Sequence, residues 1–259
     1  MDTYGCGCQH NCSYCYSRAL LDFRGLWNPD EPRIADIQKI KRTIGKIPQG
    51  TIVRMGGMTD CFQPMELTHR VTYETIKEMN KRRIGYLIVT KSYLIAEPEY
   101  IDILDKDLAH IQITVTTLDD KRSLSYEKAS IPSKRIEAIR RLQDMGFDVA
   151  IRLSPMIEEY MDFERLNELG IEKCIIEFFR INSWIKQWFP GIDFSRYTLR
   201  QSNYYHLPLQ SKIEVVEKVR IPERSICEDV TEHFLYWRSH YNPNKMDCCN
   251  LRTRASAEG

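Results

Sequence analysis

No apolar run in this 259-residue sequence is long enough to cross a bilayer; the longest, such as Tyr86–Val89, are strand-sized. No basic segment followed by an apolar one opens the chain, which predicts a cytoplasmic protein without a secretory signal or membrane partner. An excess of charge is also missing. Lys and Arg total 37 against 36 Asp and Glu, so the net charge of +1 creates no global attraction for nucleic acid. The local basic clusters, Lys81–Arg82–Arg83 among them, are mostly interleaved with acids on helical patterns and read as solvated faces. There is no internal repeat, no low-complexity tract and no H-E-x-x-H pair among the six histidines. Cysteine, by contrast, is plentiful. Nine cysteines without an export signal argue for reduced thiols or metal ligands, not for a disulfide framework.

Short runs rich in Val, Ile and Thr alternate with amphipathic helical patterns. The runs at Thr51–Met55, Tyr86–Thr90, Ile111–Thr116, Val149–Leu153 and Cys174–Phe178 predict strands. Helical patterns fall at about 34–46, 66–81, 97–107, 133–145 and 161–169. In the fourth, Ile136, Ile139 and Leu142 form one apolar stripe, Ser133 is placed to cap the start and Gly146 to stop it. Near-continuous apolar strands, each followed by a helix, imply a parallel sheet covered by helices. A short strand before Cys6 brings the count to about six β/α units by residue 180, too few for a closed eight-stranded barrel. The expected fold is therefore α/β, a partial (β/α)6 barrel of the TIM type over residues 1–180. Residues 181–259, rich in Trp and Tyr and holding three cysteines, are expected to form a C-terminal extension packed on it. Sites in such folds lie at the C-terminal ends of the strands.

The densest chemistry is GCGCQHNCSYCYSR at residues 5–18, where Cys8, Cys12 and Cys15 are spaced C-x3-C-x2-C. A zinc site usually takes four ligands in paired knuckles, and His10 would have to chelate from between two of the cysteines. A redox pair needs only C-x-x-C and leaves Cys8 unexplained. Three thiolates on one loop can instead hold three irons of a 4Fe–4S cluster and leave the fourth open.

That spacing, with Tyr14 before the last cysteine, resembles the signature of radical S-adenosylmethionine (SAM) enzymes. Further stretches follow in the order such a fold requires: Arg54-Met-Gly-Gly-Met-Thr-Asp60, Thr90-Lys91-Ser92, Thr114–Asp120, and Arg152-Leu-Ser-Pro155. Together with MTDCFQPME at 58–66 the series is similar to the spore photoproduct lyase-like branch, over roughly residues 5–180. The resemblance implies a 4Fe–4S cluster on Cys8, Cys12 and Cys15, with SAM chelated to the open iron. It further implies reductive cleavage of SAM to a 5′-deoxyadenosyl radical that takes hydrogen from a substrate, with electrons from a flavodoxin- or ferredoxin-like reductant.

By the same resemblance Tyr14 sits beside the adenine, and Gly56 and Gly57 line the methionyl end. Met58 stands where the superfamily pattern has a Glu, which removes a side-chain contact there. Ser92, Thr116, Arg135, Arg152 and Ser154 are candidates for SAM's carboxylate and ribose. Tyr14 and Tyr16 match tyrosines flanking the lyase's last cluster cysteine, and Cys61 is the candidate for its hydrogen-returning thiol. Because the cluster loop begins at residue 6, the expectation is that the true lyases' N-terminal domain has no counterpart and that dimer repair is not the first reading. A nucleobase, nucleotide or DNA substrate leads, against a peptide or small metabolite, and against a metal-stabilised binding module without catalysis. Cys174 reads as a buried structural thiol, whereas Cys227, Cys248 and Cys249 are candidates for a second cluster, a redox thiol or packing. Asp60, Glu66, Asp119 and Glu177 fall near strand ends, where they could meet substrate.

Overall fold

The computed structural model describes residues 1–189, 191–243 and 247–251. Its strands are β1 (Tyr4–Gly5), β2 (Arg33–Ile34), β3 (Ile52–Met55), β4 (Gly85–Thr90) and β5 (Ala109–Thr114). They continue with β6 (Asp148–Met156), β7 (Lys173–Phe178), β8 (Leu199–Gln201), β9 (Tyr204–His206) and β10 (Glu223–Cys227). Helices α1 (Tyr16–Phe23), α2 (Ile37–Ile44), α3 (Glu66–His69), α4 (Val71–Lys81) and α5 (Pro98–Ile101) fill the first half. The second half carries α6 (Asp120–Leu124), α7 (Pro132–Asp144), α8 (Phe163–Asn167), α9 (Ser183–Trp188), α10 (Leu209–Lys218) and α11 (Thr231–His240). No helix among the described residues is long and apolar enough to cross a membrane.

β-Branched residues dominate the central strands, so they bury both faces. Ile88, Ile113, Ile151 and Ile176 have no exposed surface. Six strands pair in the order β10-β7-β6-β5-β4-β3, every pair parallel. The edge strands β3 and β10 do not meet, so the barrel is open, as expected.

The sixth strand differs from the expectation. The short strand before Cys6 is β1, and it pairs antiparallel with β2 outside the main sheet. Its place is taken by β10, from the segment expected to be an extension. The sequence of β10, ERSIC, contains a single β-branched residue and gives little strand signal; β7 recruits it through five paired positions. Trp237 of α11 is fully buried and stacks on Phe178 of β7.

Helix α7 lays Ile136, Ile139 and Leu142 on the core, and complete burial of Ile139 and Leu142 contributes about 1.5–3 kcal/mol each. Ser133 does not cap it. Pro132 opens the helix, and the Ser133 backbone N–H and hydroxyl both donate to Asp120. Gly146, at φ +79°, ends it as expected. The 66–81 pattern is two helices, broken at Arg70 by a left-handed φ of 51°. Glu66 caps the second from a fully buried position, accepting from Thr72 N and Tyr73 N at 2.9 Å and from the Tyr4 and Tyr100 hydroxyls. It is a structural carboxylate, not a substrate contact; Asp119, too, is a cap, of α6.

The sheet face that lines the cavity described below carries polar side chains in two layers. Gln112, Arg152 and Glu177 form one, with Arg152 donating to Gln112 at 2.7 Å and to Glu177 at 2.6 Å. His110, Asp148, Lys173 and Glu223 form the other, nearer the N-terminal ends of the strands. Residues 247–251 lie across this face, stapled by Ser225 Oγ to Cys248 O (3.1 Å), Gln112 Nε2 to Cys249 O (3.4 Å) and Lys173 Nζ to Asn250 O (2.9 Å).

Candidate cluster and cofactor site

The cysteine loop is gripped on several sides. Ser13 N donates to Tyr126 O at 2.8 Å, Lys128 N to His10 O at 2.7 Å, and Asn28 N to Cys6 O at 2.8 Å. Gln9 completes the clamp, its N–H donating to Gln63 Oε1 and its own amide oxygen accepting from Met65 N. Gly7 is where no side chain fits, because a Cβ there would lie 1.8 Å from Asn28 O. The last cysteine ends the loop by capping α1, its sulfur accepting from Arg18 N at 3.5 Å.

Cys8, Cys12 and Cys15 all line one cavity of about 340 Å³ at the C-terminal ends of the strands, within the usual size of cofactor pockets. Burial, with Asp60 nearby, pushes the Cys8 thiol up to about 12. Burial raises Cys12 well above its ordinary value, reinforced by Glu127, and raises Cys15 as well. Such thiols stay protonated until a metal supplies the positive charge that makes thiolate the stable form. His10 is no fourth ligand: its Nε2 lies 3.2 Å from Asp60. The loop sulfurs do not gather within 4.8 Å as donors to one ion do; among the described residues Asp247–Cys248–Cys249 and His206–Glu228–Asp229 do so. The wider spread and the missing fourth donor fit a cluster, in which each cysteine takes its own iron, better than a single zinc.

Around the thiols, Gly56 and Gly57 turn the chain after β3. Gly56 has φ +73°, and a Cβ on it would sit 3.1 Å from both Thr59 O and Val89 O. Asp2 accepts from Gly57 N at 2.7 Å and from Met58 N at 3.2 Å, while the Tyr16 hydroxyl donates to Gly57 O. Tyr14, Tyr16, Arg152 and Ser154 also line the cavity. Ser154 donates to Glu177 at 2.8 Å, so Arg152, Ser154 and Glu177 form one hydrogen-bonded floor.

Four of the expected residues do not line the cavity. Arg135 is fully buried and donates to Glu127, Thr114 O and Ser130 O. Thr116 bonds the Tyr126 hydroxyl, and Ser92 caps the turn that starts at Tyr93. Cys61 is sealed in the core, where burial holds its thiol far above the usual range. Proximity to a strand end marks Ser92 and Thr116 in the sequence, and the resemblance alone marks Arg135 and Cys61; neither tells a lining residue from one facing the helices.

Two residues at the centre of the site, Glu127 and Lys91, have no role in the sequence reading, and a third, Asp60, expected to meet substrate, is instead a wall-forming clamp. Glu127, fully enclosed, accepts from Tyr14 and Arg135 and lies 3.9 Å from Cys12 Sγ. Burial works against its charge, but Arg135 and Lys91 outweigh it and hold the carboxyl below its ordinary value. Lys91 lines the cavity, 5.2 Å from the Tyr14 ring centroid, with its ammonium donating to Ser154 O at 3.2 Å. Asp60 clamps the wall, accepting from Thr90 Oγ1, Lys91 N and Phe62 N. Burial raises its carboxyl, but His10 and the N–H donors outweigh that and bring it down. Nothing marked Glu127, alone in YEKAS; Lys91 lay inside a quoted motif without a role.

Cys227, Cys248 and Cys249 are brought together, but a second 4Fe–4S cluster is not supported. Cys248 Sγ lies 3.7 Å from Cys227 Sγ, close packing unlike the outward-splayed sulfurs of a cluster whose cysteines hold separate irons.

The family model described as the radical SAM superfamily matches residues 3–170. An uncharacterized protein of Methanocaldococcus jannaschii is 28% identical over 181 residues, covering 67% of this chain and 65% of that protein. An uncharacterized protein of the Acidianus two-tailed virus is 25% identical over 168 residues, covering 59% and 54%. The match thus spans less than two thirds of either relative's length. Among solved structures, a spore photoproduct lyase variant with bound AdoMet and dinucleoside spore photoproduct superposes with a TM-score of 0.65. It is 17% identical, and the match covers 87% of this chain and 74% of that one. The chain shares that lyase's fold, and with the family model matching well over half its length it belongs to the radical SAM superfamily of enzymes.

Proposed function

We propose that Cys8, Cys12 and Cys15 hold a 4Fe–4S cluster, that SAM fills the adjoining cavity, and that the substrate presents a nucleobase. The observation carrying the first part is the opening of three thiols, two glycines and one lysine into a single cavity. When bound, the cluster and SAM supply one-electron reductive cleavage and a carbon radical able to take hydrogen from substrate. The protein's part is placement. Gly56 and Gly57 present backbone at close range, and the position of the Lys91 ammonium, lining the cavity beside Ser154, supports it as a partner for SAM's carboxylate. Glu177 and Ser154 offer acceptors and a hydroxyl to the ribose. Tyr14, held by Glu127 and packed edge-on to Phe179 and Phe189, walls the cavity with an aromatic surface.

The rim supports the substrate class. Arg180 lies over Tyr16 (5.0 Å) and Tyr204 (5.5 Å), Arg18 over Trp188 (4.1 Å), and Trp184, 41% exposed, packs on Trp188 at 5.6 Å. Partly exposed aromatic rings beside guanidinium groups suit splayed bases and their phosphates. A fluorescent single-stranded oligonucleotide tests this by anisotropy. Binding weakened several-fold by Trp184→Ala/Trp188→Ala and by added salt is expected; indifference to both would refute the substrate class while leaving the cluster assignment intact.

A further inference from the structure

We propose that Cys227, Asp247, Cys248 and Cys249 bind one zinc ion, a closed four-ligand site that pins residues 247–251 inside the open barrel. Cys227 Sγ and Cys248 Sγ are 3.7 Å apart. Two thiolates on one tetrahedral zinc, at Zn–S of about 2.3 Å, stand about 3.8 Å apart. Donor atoms of Asp247, Cys248 and Cys249 lie within 4.8 Å of one another. Cys248 belongs to both the close pair and the trio, so three sulfurs and one carboxylate oxygen gather around it, which is the donor chemistry of zinc.

The donors are organised before any metal arrives. Asp247 is oriented by two backbone donors, Cys249 N on Oδ1 at 2.8 Å and Leu251 N on Oδ2 at 3.0 Å; each oxygen retains a lone pair for an ion. The Cys248, Cys249 and Asn250 carbonyls are held by Ser225, Gln112 and Lys173, so the segment is tied to three strands. Cys227 ends β10 and lines the cofactor cavity. An ion here would therefore fix the cavity floor next to Arg152 and Glu177, and would do so with every ligand position filled by protein. Binding exchanges thiol protons for metal and changes no oxidation state.

The full-length Cys8→Ala/Cys12→Ala/Cys15→Ala variant removes the cluster loop from the question. Purified without oxygen, it should carry one zinc per chain and no acid-labile sulfide, and adding Cys248→Ser should bring zinc to background. Cobalt exchange into the triple variant reads the site without a further substitution, through intense visible bands of a tetrahedral ion and thiolate-to-cobalt absorption in the near ultraviolet. Iron in place of zinc, with or without sulfide, a Cys227–Cys248 disulfide, or three freely alkylated thiols would each overturn the proposal. None of these outcomes depends on SAM chemistry at Cys8, Cys12 and Cys15.

Discussion

Replacing Glu127 by Gln should unsettle the site from behind. Glu127 and Arg135 form an ion pair in which neither side chain has any exposure to solvent. The amide keeps the carboxylate's shape and can still accept a hydrogen bond, so the substitution isolates the charge. Arg135 retains bonds to Thr114 O and Ser130 O but loses its compensating anion in a dry interior. An orphaned buried charge of this kind costs about 3–5 kcal/mol, equivalent to roughly two to four decades in the folding constant. Urea unfolding of the metal-free protein, followed by circular dichroism, measures it. Glu127→Gln/Arg135→Met removes both charges and should recover most of the loss, because a buried pair replaced by apolar groups is often near neutral. A Glu127→Gln loss under about 1 kcal/mol would refute the reasoning, since it is the value expected of an exposed pair. So would a double variant as unstable as the sum of the singles.

Gly7→Ala should abolish iron incorporation, judged by absorbance near 400 nm after anaerobic reconstitution, because its Cβ would lie 1.8 Å from Asn28 O; normal iron content would show that the loop relaxes. Cys61→Ala should leave 5′-deoxyadenosine formation unchanged and cost about 1–2 kcal/mol of stability, the price of a small cavity at a fully buried site. Loss of activity with stability retained would return Cys61 to the chemistry. Asp148 is pushed up by burial, but its hydrogen bond to His110 and the Lys173 charge prevail and set its folded pKa below the ordinary value. Its contribution is therefore complete above the unfolded carboxyl's pKa of about 3.9 and lost as pH falls through the folded value. Stability measured from pH 6 to pH 2 should fall less steeply in Asp148→Asn; an unchanged slope would contradict the linkage.

The fold was legible where strands bury both faces. IVRM, GYLIVT and KCIIEF carry enough β-branched residues to declare themselves. ERSIC does not, and only its pairing with β7 makes it a strand. The cysteine loop was legible because the three thiols proposed to hold the cluster lie within eight consecutive residues, 8 to 15. What surrounds it was not, because the partners are far apart in sequence: Tyr14 meets Glu127 across 113 positions, and Gln9 clasps Gln63 across 54. Arg135 shows the limit from the other side. A buried arginine in a helix beside the site has one meaning if its partner is a ligand and another if it is Glu127, and periodicity cannot tell them apart.

Reductive cleavage of SAM is the most direct measurement of the central claim. The anaerobically reconstituted protein, given SAM and a strong one-electron reductant, should form 5′-deoxyadenosine and methionine, and Cys8→Ala, Cys12→Ala or Cys15→Ala should each abolish both products. Cleavage that survives loss of any one of these cysteines, or no cleavage by a protein carrying a full complement of iron and sulfide, would contradict the account.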